Sequence, residues 1–276
     1  MKKLFAFIIC AAIALSLVSC SKGSPSQQSD SKKKKPANLP AFSEEVYEKD
    51  FADSSGKTAA RLEFRYPAAK KNVDEAVAEK ISAFFSEKIA DAEKRIEKNA
   101  DNISDYLTRL ELEGPEVTLI ECSTYSISEQ TASFLLTTRV ATNPEEVEPS
   151  YEGITFSLAD GCRLSIPALA KVNSPEAYTD TVKEAIVEQA NYTYSSNGVM
   201  LSDEKIEIFN NLYKDNSFVS DGDNVVFVYS YAELSGGTRT GAYYCEVDMT
   251  ALEDIIISPD GYGLSVKSTA LTDKAD

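Results

Sequence analysis

The sequence predicts a segregated α+β fold, mostly antiparallel in its sheets, with one long helix in the N-terminal half and two helices in the second half. Three observations predict it. Short β-branched and aromatic runs come in pairs around turn-forming stretches, at residues 52–57 (ADSSGK), 128–131 (SEQT) and Asp160-Gly161. One long run of helical period follows Asn72-Val73-Asp74-Glu75, and further helical patterns appear only after Ser174-Pro175. Strands and helices therefore fall in blocks, not in the alternation that builds a parallel sheet.

Taken in order, residues 44–51 and 58–66 read as a hairpin that Pro67 closes. Asn72 to Glu75 has the spacing of a capping box. Val77, Ile81, Phe84, Phe85, Ile89, Ala92 and Ile96 then recur at helical period, with Lys, Glu and Asp on the opposite face. Residues 117–127 and 133–141 make a second hairpin, and Asn143-Pro144 breaks it. Residues 151–158 and 162–166 make a third about Asp160-Gly161, a pair suited to a tight turn with positive φ. Ser174 caps a helix with Pro175 at its first position, and a shorter helix runs from 202 to about 213. Residues 225–229 are apolar on both faces, as in a central strand. Residues 241–247 alternate, with Tyr243, Cys245 and Val247 on one side and Glu246 and Asp248 on the other. Beyond about Ile257 the Ser/Thr/Lys/Asp-rich composition predicts poor order.

The beginning of the chain carries a different message. Met1-Lys2-Lys3 precedes an apolar run from Leu4 to Val18, which is shorter than the roughly twenty residues a spanning helix needs. That shape is a secretory signal, and Leu17-Val18-Ser19-Cys20 resembles a bacterial lipobox. The expected organisation is a lipoprotein signal peptide (1–19), lipid on Cys20, a flexible tether (20–40), two α+β halves (41–145 and 146–257) and a tail (258–276). The expected location is outside the cytoplasm, held to the membrane through Cys20, since two or more acyl chains anchor firmly where one does not. The alternative is an ordinary secreted protein whose apolar run happens to end near a cysteine.

Composition narrows the chemistry. The formal charge is −16, and residues 1–40 hold seven lysines and one aspartate, so residues 41–276 carry −22. Such a surface disfavours nucleic acid and steers cationic partners toward it. There is no histidine, which removes His-based acid–base catalysis, Ser-His and Cys-His nucleophile pairs and His-ligated zinc. Cys122, Cys162 and Cys245 lie in apolar, strand-like stretches and read as buried free thiols, with one internal pair left open. Ser220 to Asn224 (SDGDN) lacks the later glutamate of a calcium loop and reads as a turn. Ser235 to Gly241 (SGGTRTG) precedes a strand rather than a helix and reads as a plain loop. No cofactor or metal is expected. Paired-carboxylate chemistry survives in principle, although so many acids nominate no pair.

The order of elements and several stretches together resemble the extracytoplasmic domains of RsiV-type anti-sigma factors, whose N-terminal half is similar to the accessory domain of the deacetylase PdaC. Arg65-Tyr66-Pro67 followed by Asn72 to Val77 looks like that half. Residues 154–170 (ITFSLADGCRLSIPALA) and 224–256 look like the opening and closing strands of the RsiV C-terminal domain. The resemblance implies a module that binds something in the envelope, as RsiV binds lysozyme. Where many relatives have Gly-Gly-Ala-His, Val140 runs here into Ala141-Thr142-Asn143-Pro144, so no histidine carries over. The expected function is a non-catalytic, lipid-anchored binding module for a cationic envelope protein or cell-wall glycan. The alternative is a carboxylate-based glycan hydrolase. The expected contact residues are Tyr229, Tyr231, Gly236, Gly237, Arg239, Tyr243 and Tyr244, from the tyrosine-rich second half.

Overall fold

The computed structural model describes residues 39–142, 145–195, 201–235 and 240–262. Five strands form a mixed sheet in the order β1-β2-β3-β4-β5: β1 (Ala41–Ala52), β2 (Thr58–Lys71), β3 (Glu116–Ile127), β4 (Thr131–Thr142) and β5 (Glu145–Ser157). Helix α1 (Glu75–Arg109) crosses over between β2 and β3, which pair in parallel, and the other pairings are antiparallel. A second sheet, β6 (Val219–Ser220), β7 (Asn224–Ser230) and β8 (Ala242–Asp248), is antiparallel. Its outer face carries α3 (Pro175–Ser195) and α4 (Asp203–Leu212), with short helices α2 (Ile166–Leu169) and α5 (Tyr231–Ser235) at its margins.

Strand alternation sorts the layers. In β4, Ala132, Phe134 and Leu136 face α1, while Leu135 faces the second sheet. In β7, Val225, Phe227 and Tyr229 face α3 and α4, while Val226 and Val228 face back toward Leu135. The result is helix, sheet, sheet, helices, with a large core on each side and a small apolar one between the sheets.

The structure agrees with the sequence at the first two hairpins and differs at several boundaries and at the third. Pro67 does not end β2, which continues to Lys71. The parallel ladder with β3 stops at Arg65, so the missing N–H of Pro67 leaves no bond unmade on that side. The cap of α1 is Asp74, which accepts from the Ala76 amide at 2.9 Å. Asn72 instead takes φ +58, a region Asn tolerates, and donates from Nδ2 to the Leu39 carbonyl. The helix is about 52 Å long at 1.5 Å per residue, running well past Ile96 because Ala100, Ser104 and Leu107 continue the buried stripe.

The third hairpin is only half there. Gly161 turns with φ +74, but residues 162–166 make a single bridge, Phe156 to Arg163, before Ser165 caps α2. Tyr151 to Ser157 is instead paired along its length with β4. Residues 258–262 are packed, not loose: Asp260 accepts from Ser128 Oγ at 2.8 Å and from Thr131 Oγ1 at 2.7 Å. Cys122 and Cys245 are buried and free as expected, whereas Cys162, also free, is exposed in the turn. In SDGDN, Asp221 Oδ1 accepts from the Asn224 amide at 2.8 Å, which makes the stretch a turn.

Between α1 and β5, the Glu152 carboxylate accepts from Lys88 Nζ at 2.9 and 2.7 Å and from Arg163 Nη2 at 2.9 Å. Both cations also lie over the Phe84 ring. Burial pulls the Glu152 carboxyl upward, but the Lys88 hydrogen bond and the two positive charges outweigh it and hold the group below the usual glutamate value. A folded pKa below the unfolded one contributes stability that is complete above the unfolded value, about 4.3, and is lost as pH falls through the folded value. Melting temperature is therefore expected to fall less steeply below about pH 4.3 in Glu152→Gln than in the native protein. Melting temperatures that fall equally steeply below that pH in the native protein and in Glu152→Gln would contradict this role.

Candidate surface where the two sheets meet

The alternation of β8 settles the tyrosines. Tyr243, Cys245 and Val247 are buried, and Tyr244, Glu246 and Asp248 are exposed. Tyr243 pairs with Tyr229 across the ladder, and the two rings lie 5.8 and 5.2 Å from Phe209. At 5% and 4% exposure, Tyr229 and Tyr243 are core residues and offer no contact surface. Burial drives both phenols well above the usual tyrosine range. Tyr231 is half-buried with its ring edge-on to Tyr243. Among the described residues of the expected contact set, only Tyr244 stands clear, at 42% exposure. Gly236, Gly237 and Arg239 lie outside the described residues, as does Cys20.

Two tyrosines that sequence reasoning did not select join Tyr244. Tyr125 is the bulge residue of β3, unpaired between Thr124–Phe134 and Ser126–Ser133. Tyr151 sits on β5 opposite Thr137. Both turn away from α1 and pack on Leu135, Val219, Val226 and Val228. Tyr244 lies opposite Val228 on the same face. Three tyrosines from both sheets thus surround one side of the small inter-sheet core.

Carboxylates surround them. Burial raises the Tyr125 phenol, and the nearby charges of Asp221 and Glu246 raise it further. Burial and then Glu148 raise Tyr151, against a smaller lowering by Arg139. Glu148 accepts from the Gly241 amide at 2.8 Å, and Asp221 is held by its own turn, so these acids are fixed in position. Farther out on the same sheet the charges are matched: Asp50 with Arg61, Glu63 with Arg65, and Glu121 with Arg139. The patch is aromatic and acidic, with its three tyrosines on strands and Asp221 in the turn beside them. Among the described residues no group of His, Cys, Asp or Glu is arranged to hold a metal ion, and no helix is long and apolar enough to cross a membrane.

Comparison with solved structures places this fold beside proteins of the DUF3298 family. One from Bacteroides fragilis superposes with a TM-score of 0.51 at 13% identity, covering 84% of this chain and 99% of its own. Another, from Pseudomonas aeruginosa, has a TM-score of 0.48 at 8% identity, covering 81% of this chain and 95% of its own. At 13% identity the first likeness is one of fold. Comparison with protein-family models and with curated proteins finds no match.

Proposed function

We propose that this protein is a lipid-anchored, extracytoplasmic, non-catalytic binding module that holds a cationic envelope protein against the patch of Tyr125, Tyr151 and Tyr244. The observation that supports this reading is the convergence of three tyrosines and fixed carboxylates on a rigid two-sheet frame. Tyrosine contributes large contact area at little entropic cost, and unmatched acids speed and orient the approach of a positive partner. A lipid on Cys20 followed by a polar tether would leave the module free to sample partners near the membrane.

The experiment uses the full chain expressed in a bacterial host, with a cationic lysozyme as the defined probe. The native protein is expected in the membrane fraction, and Cys20→Ser in the soluble one. Titration should show binding that weakens with salt and loses about tenfold in affinity, some 1.4 kcal/mol, in Tyr244→Ala, with a larger loss in Glu246→Lys. Binding unaffected by either variant, or no binding at low salt, would overturn the patch. An unchanged membrane fraction for Cys20→Ser would overturn the anchor.

A further inference from the structure

On the other face of the five-stranded sheet, the second half of α1 and strands β3 to β5 enclose an open groove of about 510 Å³. That volume is in the range of small-ligand sites. Arg95, Asn99, Asn102 and Tyr106 follow one another at helical spacing and line its helix side. Glu116 of β3 faces them, and Ile103 and Val140 supply apolar surface between.

Beside the buried stripe of Ile96, Ser104 and Leu107 runs a polar row, with Arg95, Asn99 and Asn102 exposed and Tyr106 half-buried under the Arg109 guanidinium. Asn99 donates one bond to the Arg95 carbonyl, which leaves its amide oxygen available, and Asn102 is exposed. Glu116 is half-buried, and burial raises its carboxyl above its ordinary value, with no cation among the described residues close enough to lower it. Arg95 brings one positive charge to the groove, and Glu116 and Glu148 bring acids, with Glu148 already accepting from Gly241.

We infer that this groove is a saccharide-binding site that takes a neutral oligosaccharide. Asn side chains present a donor and an acceptor side by side, which matches adjacent ring hydroxyls. A tyrosine ring together with Ile103 and Val140 matches the C–H face of a pyranose, which is apolar. A half-buried carboxyl with no cation beside it accepts a hydroxyl's hydrogen bond without being drawn into an ion pair. The groove is open to solvent, so more than one sugar unit can lie against it rather than a single unit being enclosed. The inference shares with the proposed function the absence of turnover and one residue, Glu148, which lines the groove and also accepts from Gly241 beside the tyrosine patch. The groove variants below leave Glu148 and the three tyrosines in place, so each site can fail alone.

The test is calorimetric titration of the full chain with chitotetraose and cellotetraose as neutral probes. At least one should bind, with affinity reduced about tenfold or more in the Asn99→Ala/Asn102→Ala double variant and in Glu116→Leu, while Glu246→Lys binds as the native protein does. The two asparagines are exposed, so circular dichroism and melting temperature of the double variant should match the native protein and exclude misfolding as the cause. Absence of binding by both probes at millimolar concentration, or binding that the groove variants leave unchanged, would overturn the site. Shorter saccharides appearing during the titration would overturn the non-catalytic reading and favour a hydrolase acting through Glu116.

Discussion

Replacing Gly153 with valine is expected to destabilise the protein by about 3 kcal/mol or more, the upper end of what overpacking costs, because the backbone it strikes cannot swing aside. A Cβ on Gly153 would lie 2.5 Å from the carbonyl carbon of Phe218, 2.7 Å from its Cα and 2.9 Å from its nitrogen. The segment entering β6 rests directly on the edge strand of the first sheet at this point. It is tied there by the Gly153 amide to Ser217 Oγ, by Thr155 Oγ1 to the Phe218 carbonyl and by the Ser220 amide to Ser133 Oγ. A side chain at 153 would part the two sheets and strand those buried hydroxyls and amides, which adds an unsatisfied-polar cost to the steric one. Denaturant melts should show the loss, and Gly261→Ala, whose nearest neighbour would be 3.9 Å away, should melt as the native protein does. A Gly153→Val protein of native stability would mean that the sheets do not meet as described.

The second large effect is expected at Phe85. Its ring is fully buried and touches Tyr66, Phe84, Phe134 and Phe156, with centroids 5.8, 5.3, 6.4 and 6.2 Å away. It is the point at which α1 is inserted into the aromatic core of the sheet. Phe85→Ala removes the transfer energy of the ring and leaves a cavity that surrounding rings cannot close, for a loss of about 3–5 kcal/mol. Phe85→Leu should cost far less, because it keeps most of the volume. The pair of variants, compared by urea unfolding, separates packing from any effect on helix propensity. Similar stability for both would show that α1 is not held through this ring.

Much of the local structure was legible in the sequence. The β1–β2 and β3–β4 hairpins, the body of α1, the two later helices and strands β7 and β8 all follow from periodicity and turn chemistry, which act over a few residues. What the sequence hides depends on contacts far along the chain. Pro67 reads as a strand end, because nothing local says that the ladder with β3 ends two residues earlier, at Arg65, while pairing with β1 carries β2 onward. Residues 162–166 read as a strand, because the preference of residues 151–157 for β4 is a long-range matter. The full length of α1 is hidden by a charged stretch whose inner face is carried by Ala100, Ser104 and Leu107.

The candidate surface shows the same limit. Alternation in β8 separates Tyr243 from Tyr244 in the sequence itself, but which of the two faces is covered depends on where α3 and α4 dock. Tyr125 and Tyr151 carried no local sign at all, since they become neighbours of Tyr244 only when the second sheet closes on β4 and β5.

The sequence by itself therefore determined the α+β class, the main hairpins and helices, the acidic character and the exclusion of histidine chemistry. These depend on residue type and on contacts within one element. Only the tertiary structure decided that β2 and β3 pair in parallel, that Tyr229 and Tyr243 are core, and that three other tyrosines share a surface. Those outcomes depend on which faces bury the most apolar area against partners far away in the chain, and on a close approach that Gly153 alone permits.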